Sequence, residues 1–137
     1  MAFLFDTDAI SETLRPRPEQ GFVAWLSTVA HDDQFASAVT VGGLGFGAYR
    51  AAAGGRYVTM IEDRVLPAVT VLPFDTAVAQ VYSRLAADLP DQGTPLADAD
   101  LKIAATALHH DLELVTGNLR HLARVPGLRV LPLRGGG

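Results

Sequence analysis

The stretch that decides the fold is FLFDTD, at residues 3–8. Residues 2–5 are apolar, which predicts a short buried strand, and the acids follow at the point where that strand ends. Asp6 or Thr7 is suited to cap a helix that runs to Leu14. A strand that ends in a carboxylate and turns directly into a helix is typical of parallel α/β sheets, in which ligands bind beyond the carboxyl ends of the strands.

A second acidic stretch, DADLKIAA at residues 98–105, places carboxylates on the opening turn of an apolar helix predicted over 98–110. Asp98 is suited to the N-cap and Asp100 to the first turn, where negative charge is favoured in any helix. Acids at a strand end and at a helix start can converge across a parallel sheet. The usual reason to gather them is a hard divalent cation.

Strands and helices alternate along the rest of the chain, which predicts an α/β fold with a parallel sheet. The predicted strands are residues 35–39, 69–73, 112–116 and 128–131, and the further helices are residues 18–30, 56–68 and one that begins at Asp75. Pro90, Gly93 and Pro95 mark a loop over residues 89–95. We expect a single domain over residues 1–134 and a flexible glycine tail at 135–137.

The composition excludes several classes of protein. With 137 residues, 49% of them apolar, the chain is long enough for one hydrophobic core. The absence of cysteine excludes thiol catalysis, disulfides and thiolate zinc sites. A net charge of −4 argues mildly against a strong isolated nucleic-acid binder, although a bound cation would reverse the local sign. No signal peptide or membrane span is predicted, so we expect a cytoplasmic protein without a membrane partner.

For the individual polar residues, structural explanations compete with catalytic ones. Asp6 fits a helix cap and a cation ligand about equally well. Thr7 could cap the helix or hold a metal-bound water, and Asp8 is better explained by the helix dipole. Glu12 is expected to face water. Six basic residues could touch an RNA backbone, but for each of them a solvated surface role is the stronger interpretation. They are Arg15, Arg17, Arg50, Lys102, Arg120 and Arg124.

The ordered set of motifs resembles VapC-type toxins, which are PIN-domain ribonucleases of toxin–antitoxin pairs. Each motif is weak alone, but the set runs in order over nearly the whole chain. The stretches that carry the resemblance are residues 6–8, 37–42, 73–75, 100–107, 114–118, 120–122 and 125–130.

The resemblance implies a three-layer α/β/α domain with a central parallel sheet, and a Mg²⁺- or Mn²⁺-dependent endoribonuclease. Asp6 and Asp100 match the family's metal-binding carboxylates, and Asp98 is a possible supporting acid. Asn118 takes the place of an Asp or Asn near the metal, and Thr116 that of a hydroxyl that contacts water or phosphate. The implied partners are a VapB-type antitoxin, a tRNA or rRNA substrate, and a second copy of the chain in a homodimer.

One position departs from the family pattern. Where the family reads Thr-x-x-Glu-Leu, residues 40–44 read TVGGL, so Gly43 replaces the second metal carboxylate. Thr40 is a good N-cap, but the glycines at 42, 43, 45 and 47 disfavour a helix that begins there. Their spacing fits neither a P-loop nor a dinucleotide fingerprint. We therefore expect weakened cation binding and slow or absent cleavage.

Two other functions remain open at this stage. A PIN-fold protein that no longer cleaves could act by binding RNA or a partner, through apolar residues near Trp25 that equally fit a core. Alternatively, Asp6 and Asp8 provide the nucleophile-x-acid pair of a haloacid-dehalogenase-like phosphatase. Such an enzyme also needs a well-placed lysine, and Lys102 is the only lysine in the sequence.

Overall fold

The computed structural model describes residues 1–89 and 96–133, and its centre is a five-stranded sheet in which every strand pair is parallel. The chain fills one half of the sheet first, then crosses back and continues from the middle, so the strand order reverses between the first and fourth strands. This reversal is the point where parallel α/β sheets bind ligands. The strands are β1 (Phe3–Phe5), β2 (Gln34–Ser37), β3 (Thr70–Leu72), β4 (Glu113–Thr116) and β5 (Val130–Pro132), in the spatial order β3-β2-β1-β4-β5.

Seven α-helices connect these strands within the described residues. They are α1 (Thr7–Leu14), α2 (Gln20–Leu26), α3 (Ala38–Arg50), α4 (Gly54–Met60), α5 (Thr76–Asp88), α6 (Asp98–His110) and α7 (Leu119–Leu122). The predicted bounds of α1 and α6 are confirmed, while the helix expected over 18–30 is shorter. Residues 61–65 extend α4 as a wider helical turn. In residues 1–89 and 96–133, no helix has the length and apolar character needed to cross a bilayer.

Two parts of the prediction lie outside the described residues. They are residues 90–95 of the expected loop, and the glycine tail at 135–137.

The side chains of β1 alternate between two hydrophobic clusters, one on each face of the sheet. Phe3 and Phe5 pack with Ile10 of α1 and Phe22 of α2. Leu4 points to the other face and packs in a cluster that includes Leu114 of β4, Ile103 of α6 and Leu85 of α5. Helices therefore cover both faces of the sheet, which confirms the predicted three-layer α/β/α architecture.

Three apolar residues of α2, namely Phe22, Trp25 and Leu26, belong to the core. Phe22 is buried, and Trp25 packs edge-on against Phe3 with ring centroids 5.0 Å apart. Trp25 also stacks on Phe22 at 6.0 Å. Such aromatic pairs stabilise a core beyond the area that they bury. These contacts support the core interpretation of the residues around Trp25 over that of an open partner-binding face.

The glycine-rich segment forms the interior of α3, which corrects the expected start of this helix. Ser37, at the end of β2, is the N-cap, and its Oγ accepts a hydrogen bond of 3.0 Å from the Val39 N–H. The prediction that Thr40 caps the helix is wrong because the helix begins one turn earlier. Packing of Leu44 and Ala48 on the core favours the helix despite the glycines.

The glycines of α3 and α4 give a matched stability test. A Cβ at Gly42 would meet no atom within 4 Å, whereas a Cβ at Gly54 would lie 2.6 Å from the Ala48 carbonyl oxygen. We expect Gly42→Ala to raise the free energy of unfolding by about 0.5–1 kcal/mol, because alanine loses less backbone entropy in a helix. Gly54→Ala should lower it by roughly 1–3 kcal/mol through the clash. Urea unfolding of the two variants measures both changes. Equal changes in the free energy of unfolding would contradict the open surroundings of Gly42 in α3.

Candidate active site

Asp6 lies at the carboxyl end of β1, at the reversal of strand order. Its backbone N–H continues the sheet by donating to the Val115 carbonyl at 3.0 Å. The side chain caps α1, because Oδ1 accepts a hydrogen bond of 2.8 Å from the Ala9 N–H. The Thr116 hydroxyl and the Gly117 N–H also donate to this carboxylate. The predicted cap is confirmed, and three donors from two elements hold the carboxylate in one position.

Burial dominates the electrostatics of Asp6. The residue is 4% exposed, and loss of water raises the pKa of its carboxyl from 3.8 to about 6. The hydrogen bonds from Thr116 and Ala9 lower the pKa, and the neighbouring charge of Asp8 raises it, but each effect is smaller than that of burial. Among the described residues, no cationic side chain contributes to this pKa. The protein therefore holds a buried carboxylate whose negative charge lacks a positive partner.

A row of hydrogen bonds connects Asp6 to Asp100. Thr116, fully buried at the end of β4, donates its hydroxyl hydrogen to Asp6 and accepts the Asn118 backbone N–H at 2.8 Å. The Asn118 side chain then donates from Nδ2 to Asp100 Oδ2 at 3.1 Å. Four residues predicted from the sequence are thus gathered by three elements: the end of β1, the β4–α7 turn and the first turn of α6.

Two clefts lie on either side of α1. The α1–α3 cleft, of about 540 Å³, is lined by residues of α1, α3 and α4, among them Thr7 and Gly43. The α1–β4 cleft, of about 500 Å³, is lined by α1 and by the ends of β4 and β5, among them Asp8 and Thr116. Thr7 and Asp8, the first residues of α1, therefore face different clefts. Gly43 lines the same cleft as Thr7, so residue 43 lies beside the start of α1.

Asp98 stands apart from this row. The helix N-cap is Ala97, so the expectation that Asp98 caps α6 is wrong. The Asp98 carboxylate instead pairs with Lys102 one turn later, at 2.9 Å, and accepts a hydrogen bond from the Tyr82 hydroxyl. Lys102 lies over the rings of Phe74 and Tyr82. The only lysine is thus engaged on the α5–α6 surface, which removes the support that a phosphatase reading of Asp6 and Asp8 would need.

Gly117 belongs to the candidate site, although it was not among the site residues predicted from the sequence. A Cβ at this position would lie 2.8 Å from the Asp8 Cβ and 2.9 Å from its Oδ2. The absence of a side chain lets the β4–α7 turn approach the start of α1 closely enough for the Gly117 N–H to donate to Asp6. The signal in the sequence was a glycine directly between two polar site residues, Thr116 and Asn118.

Glu12 was expected to face water and is buried instead, with 6% of its surface exposed. Its Oε2 accepts the Glu19 backbone N–H at 2.8 Å, and its Oε1 lies 3.1 Å from Arg15 Nη1. The side chain therefore joins the end of α1 to the start of α2. Periodicity in so short a helix did not separate the buried face from the exposed one.

The oxygen donors of this row are chemically suited to a hard divalent cation. Asp6, Asp100 and the amide oxygen of Asn118 are the oxygen ligands that Mg²⁺ and Mn²⁺ prefer. Two buried polar groups also lack full compensation: the Asp6 carboxylate, and the Thr40 hydroxyl, which has no hydrogen-bond partner among the described residues. In the same residues, no three acidic, histidine or cysteine side chains form a group that could hold a metal.

Comparison with known proteins identifies close relatives. The model of the PIN domain family matches residues 3–128. Toxin FitB of Neisseria gonorrhoeae is 38% identical over 118 residues, which cover 82% of this chain and 85% of FitB. The tRNA(fMet)-specific endonuclease VapC of Salmonella typhimurium is 29% identical over 130 residues, which cover 95% of this chain and 96% of that enzyme.

The fold is equally close to a solved complex. The crystal structure of DNA-bound VapBC from Salmonella typhimurium contains a chain that superimposes with a TM-score of 0.86 at 28% identity. The match covers 97% of this chain and 98% of that one. The likeness therefore extends over the whole architecture, including the strand ends that carry the candidate site.

The buried charge of Asp6 predicts a pH-dependent gain in stability on its removal. The pKa of Asp6 is raised on folding, so its buried charge lowers the free energy of unfolding as the pH rises. This effect is absent below about pH 4 and complete above about pH 6. In the presence of a chelator, Asp6→Asn should therefore stabilise the fold by roughly 1.4 kcal/mol more at pH 8 than at pH 5.

Asp75→Asn is the matched control for this measurement. Asp75 caps α5 with the same geometry, its Oδ1 accepting the Val78 N–H at 3.0 Å, but it is exposed. Its replacement removes a cap of the same geometry from an exposed position, so it measures how much of the change in free energy of unfolding comes from the cap itself. A change for Asp6→Asn that is the same at pH 5 and pH 8 would contradict the burial of an uncompensated charge.

Proposed function

This chain belongs to the PIN domain family, and we propose that it is the endoribonuclease toxin of a toxin–antitoxin pair. The observation that carries the proposal is the hydrogen-bonded row from Asp6 through Thr116 and Asn118 to Asp100, at the reversal of strand order. The relatives named as a toxin and as a tRNA endonuclease support both parts of the proposal.

We propose that Asp6 and Asp100, with Asn118, hold a Mg²⁺ or Mn²⁺ ion. When bound, such an ion supplies an activated water and offsets charge on the leaving oxygen of a phosphodiester. The residues of the chain prepare this site in advance. Thr116 and the N–H groups of Ala9 and Gly117 orient the Asp6 carboxylate, and burial excludes the water that would otherwise screen its charge.

Asn118 has a positioning role in this account. Its backbone N–H fixes the Thr116 hydroxyl, and its side-chain amide holds one oxygen of Asp100. One residue therefore sets the orientation of both neighbours, and through Thr116 also that of Asp6. An Asn in this position keeps the geometry with one negative charge fewer than an Asp.

We further propose that Gly43 impairs this site. The residue lines the α1–α3 cleft together with Thr7, directly after Asp6 in sequence. A Cβ at Gly43 would meet no atom within 4 Å, so a longer side chain has room to grow from α3. A glutamate there would supply a third carboxylate. Without it, only two carboxylates offset the positive charge of the ion, and the ion binds less strongly.

The proposed substrate is a structured cellular RNA, either tRNA or rRNA, and the proposed partner is a VapB-type antitoxin. The resemblance also implies a homodimer. A cytoplasmic location follows from such substrates. The second candidate function is a PIN-fold protein that binds without cleaving, and the observation that favours it is the missing acid at Gly43.

Cleavage of total tRNA and rRNA in Mn²⁺ tests the proposal. We expect slow cleavage by the chain, no cleavage in chelator, and cleavage at least about tenfold faster for Gly43→Glu, because a third carboxylate raises the occupancy of the ion. Asp100→Asn should slow cleavage by roughly a hundredfold, the scale of losing one preorganised electrostatic contact. Asp98→Asn is the matched control, since it lies on the same helical turn outside the site and should leave the rate unchanged.

The outcomes separate the two functions. Metal-dependent cleavage by Gly43→Glu with none by the original chain would support a nuclease disabled at one position. Cleavage by neither protein, with Gly43→Glu folded and binding Mn²⁺, would contradict the nuclease proposal and favour binding alone. Equal rates for Asp98→Asn and Asp100→Asn would contradict the assigned site.

A further inference from the structure

Helix α1 forms a ridge between the two clefts, and only part of the ridge faces both of them. Thr7 lines the α1–α3 cleft, and Asp8 lines the α1–β4 cleft. Ser11 and Arg15, one helical turn apart, line both. A polymer that crosses α1 at these shared residues passes beside Ser11 and Arg15.

Arg15 is held in place at the end of this ridge. Its backbone N–H donates to the Glu12 carbonyl, and its extended conformation is followed by Pro16, which restricts the backbone. Its guanidinium Nη1 lies 3.1 Å from Glu12 Oε1, and the Glu12 side chain is 8% exposed while that of Arg15 is 59% exposed. A buried carboxylate thus orients an arginine whose other donors face solvent.

The charge of Arg15 matters because its surroundings are acidic. Asp8 and Glu12 line the same α1–β4 cleft, which also contains Thr116 of the candidate site. Arg15 is the only basic side chain among the described residues that line this cleft. Its charge is opposite to that of these two acids, and an arginine presents a rigid fork of donors that matches phosphate oxygens.

We propose that Arg15 binds a backbone phosphate of the RNA substrate, and that Glu12 positions its guanidinium for that contact. The inference rests on the proposed nuclease function. Arg15 follows Asp6 by nine residues, which corresponds to about 14 Å along a helix. Its contact is therefore with a phosphate that flanks the cleaved one, and its role is to hold the strand across α1 without touching the reacting atoms.

Binding of a mixed-sequence single-stranded RNA in chelator tests this contact without cleavage. We expect Arg15→Gln to weaken binding roughly tenfold at low salt and to reduce the slope of log affinity against log salt by about 0.7, the value for one phosphate contact to a single strand. Arg15→Lys should keep the slope and recover part of the affinity, because it retains the charge and loses the fork. Arg17→Gln is the control, since Arg17 is exposed two residues away and lines neither cleft.

Three results would overturn the inference. Equal affinities and equal salt slopes for Arg15→Gln and the original chain would show that RNA binds without a phosphate contact from Arg15. Equal losses of RNA affinity for Arg15→Gln and Arg17→Gln would show that the effect comes from net charge alone. Unchanged RNA binding with weakened capture of a co-expressed antitoxin would assign Arg15 to a protein partner. Absence of RNA binding by the original chain is a different result, which would contradict the proposed function as well as this contact.

Discussion

The buried carboxylate at the end of the central strand is the constraint on which the rest of the structure depends. Asp6 leaves the sheet where the strand order reverses, and it caps α1 while out of contact with water. Because a buried charge is costly, two neighbouring elements contribute donors: Ala9 comes from α1, and Thr116 and Gly117 come from the end of β4. These bonds orient the carboxylate without neutralising it. The Asp6 carboxylate therefore keeps its negative charge, which a cation site requires.

The same site shows where stability and function oppose each other. A protein selected for stability alone would place a neutral cap at the end of β1 and fill the glycine positions of α3. Here the raised pKa of Asp6 records a cost that a bound cation would offset. Gly43 bears on this balance under the proposal above, in which an acid at this position of the α1–α3 cleft would supply a further carboxylate. Such an acid would add repulsion to the metal-free chain and would strengthen the binding of the ion.

The fold was predictable where local and long-range signals agree, as in the cap at Asp6 and the full extent of α6. The acids of the candidate site were predictable because Asp6 stands at a strand end and Asp100 at a helix start, whereas Asn118 was expected from the resemblance to VapC-type toxins. Other features depend on contacts that no local pattern contains. The start of α3 was misplaced because Ser37 caps it and packing of Leu44 and Ala48 favours a glycine-rich helix. Glu12 was misassigned because its partner, the Glu19 N–H, lies beyond the next turn. Gly117 was overlooked because its role is a close approach to Asp8.

The most direct test of the account is the ionisation of Asp6 itself. An NMR titration of its side-chain carboxyl carbon, with and without Mg²⁺, directly reports the ionisation of the Asp6 carboxyl group. We predict a midpoint near pH 6 in chelator, well above the ordinary value of 3.8, and a clear decrease in saturating Mg²⁺. A midpoint near the ordinary value that Mg²⁺ does not move would contradict both the buried charge and its use as a cation ligand.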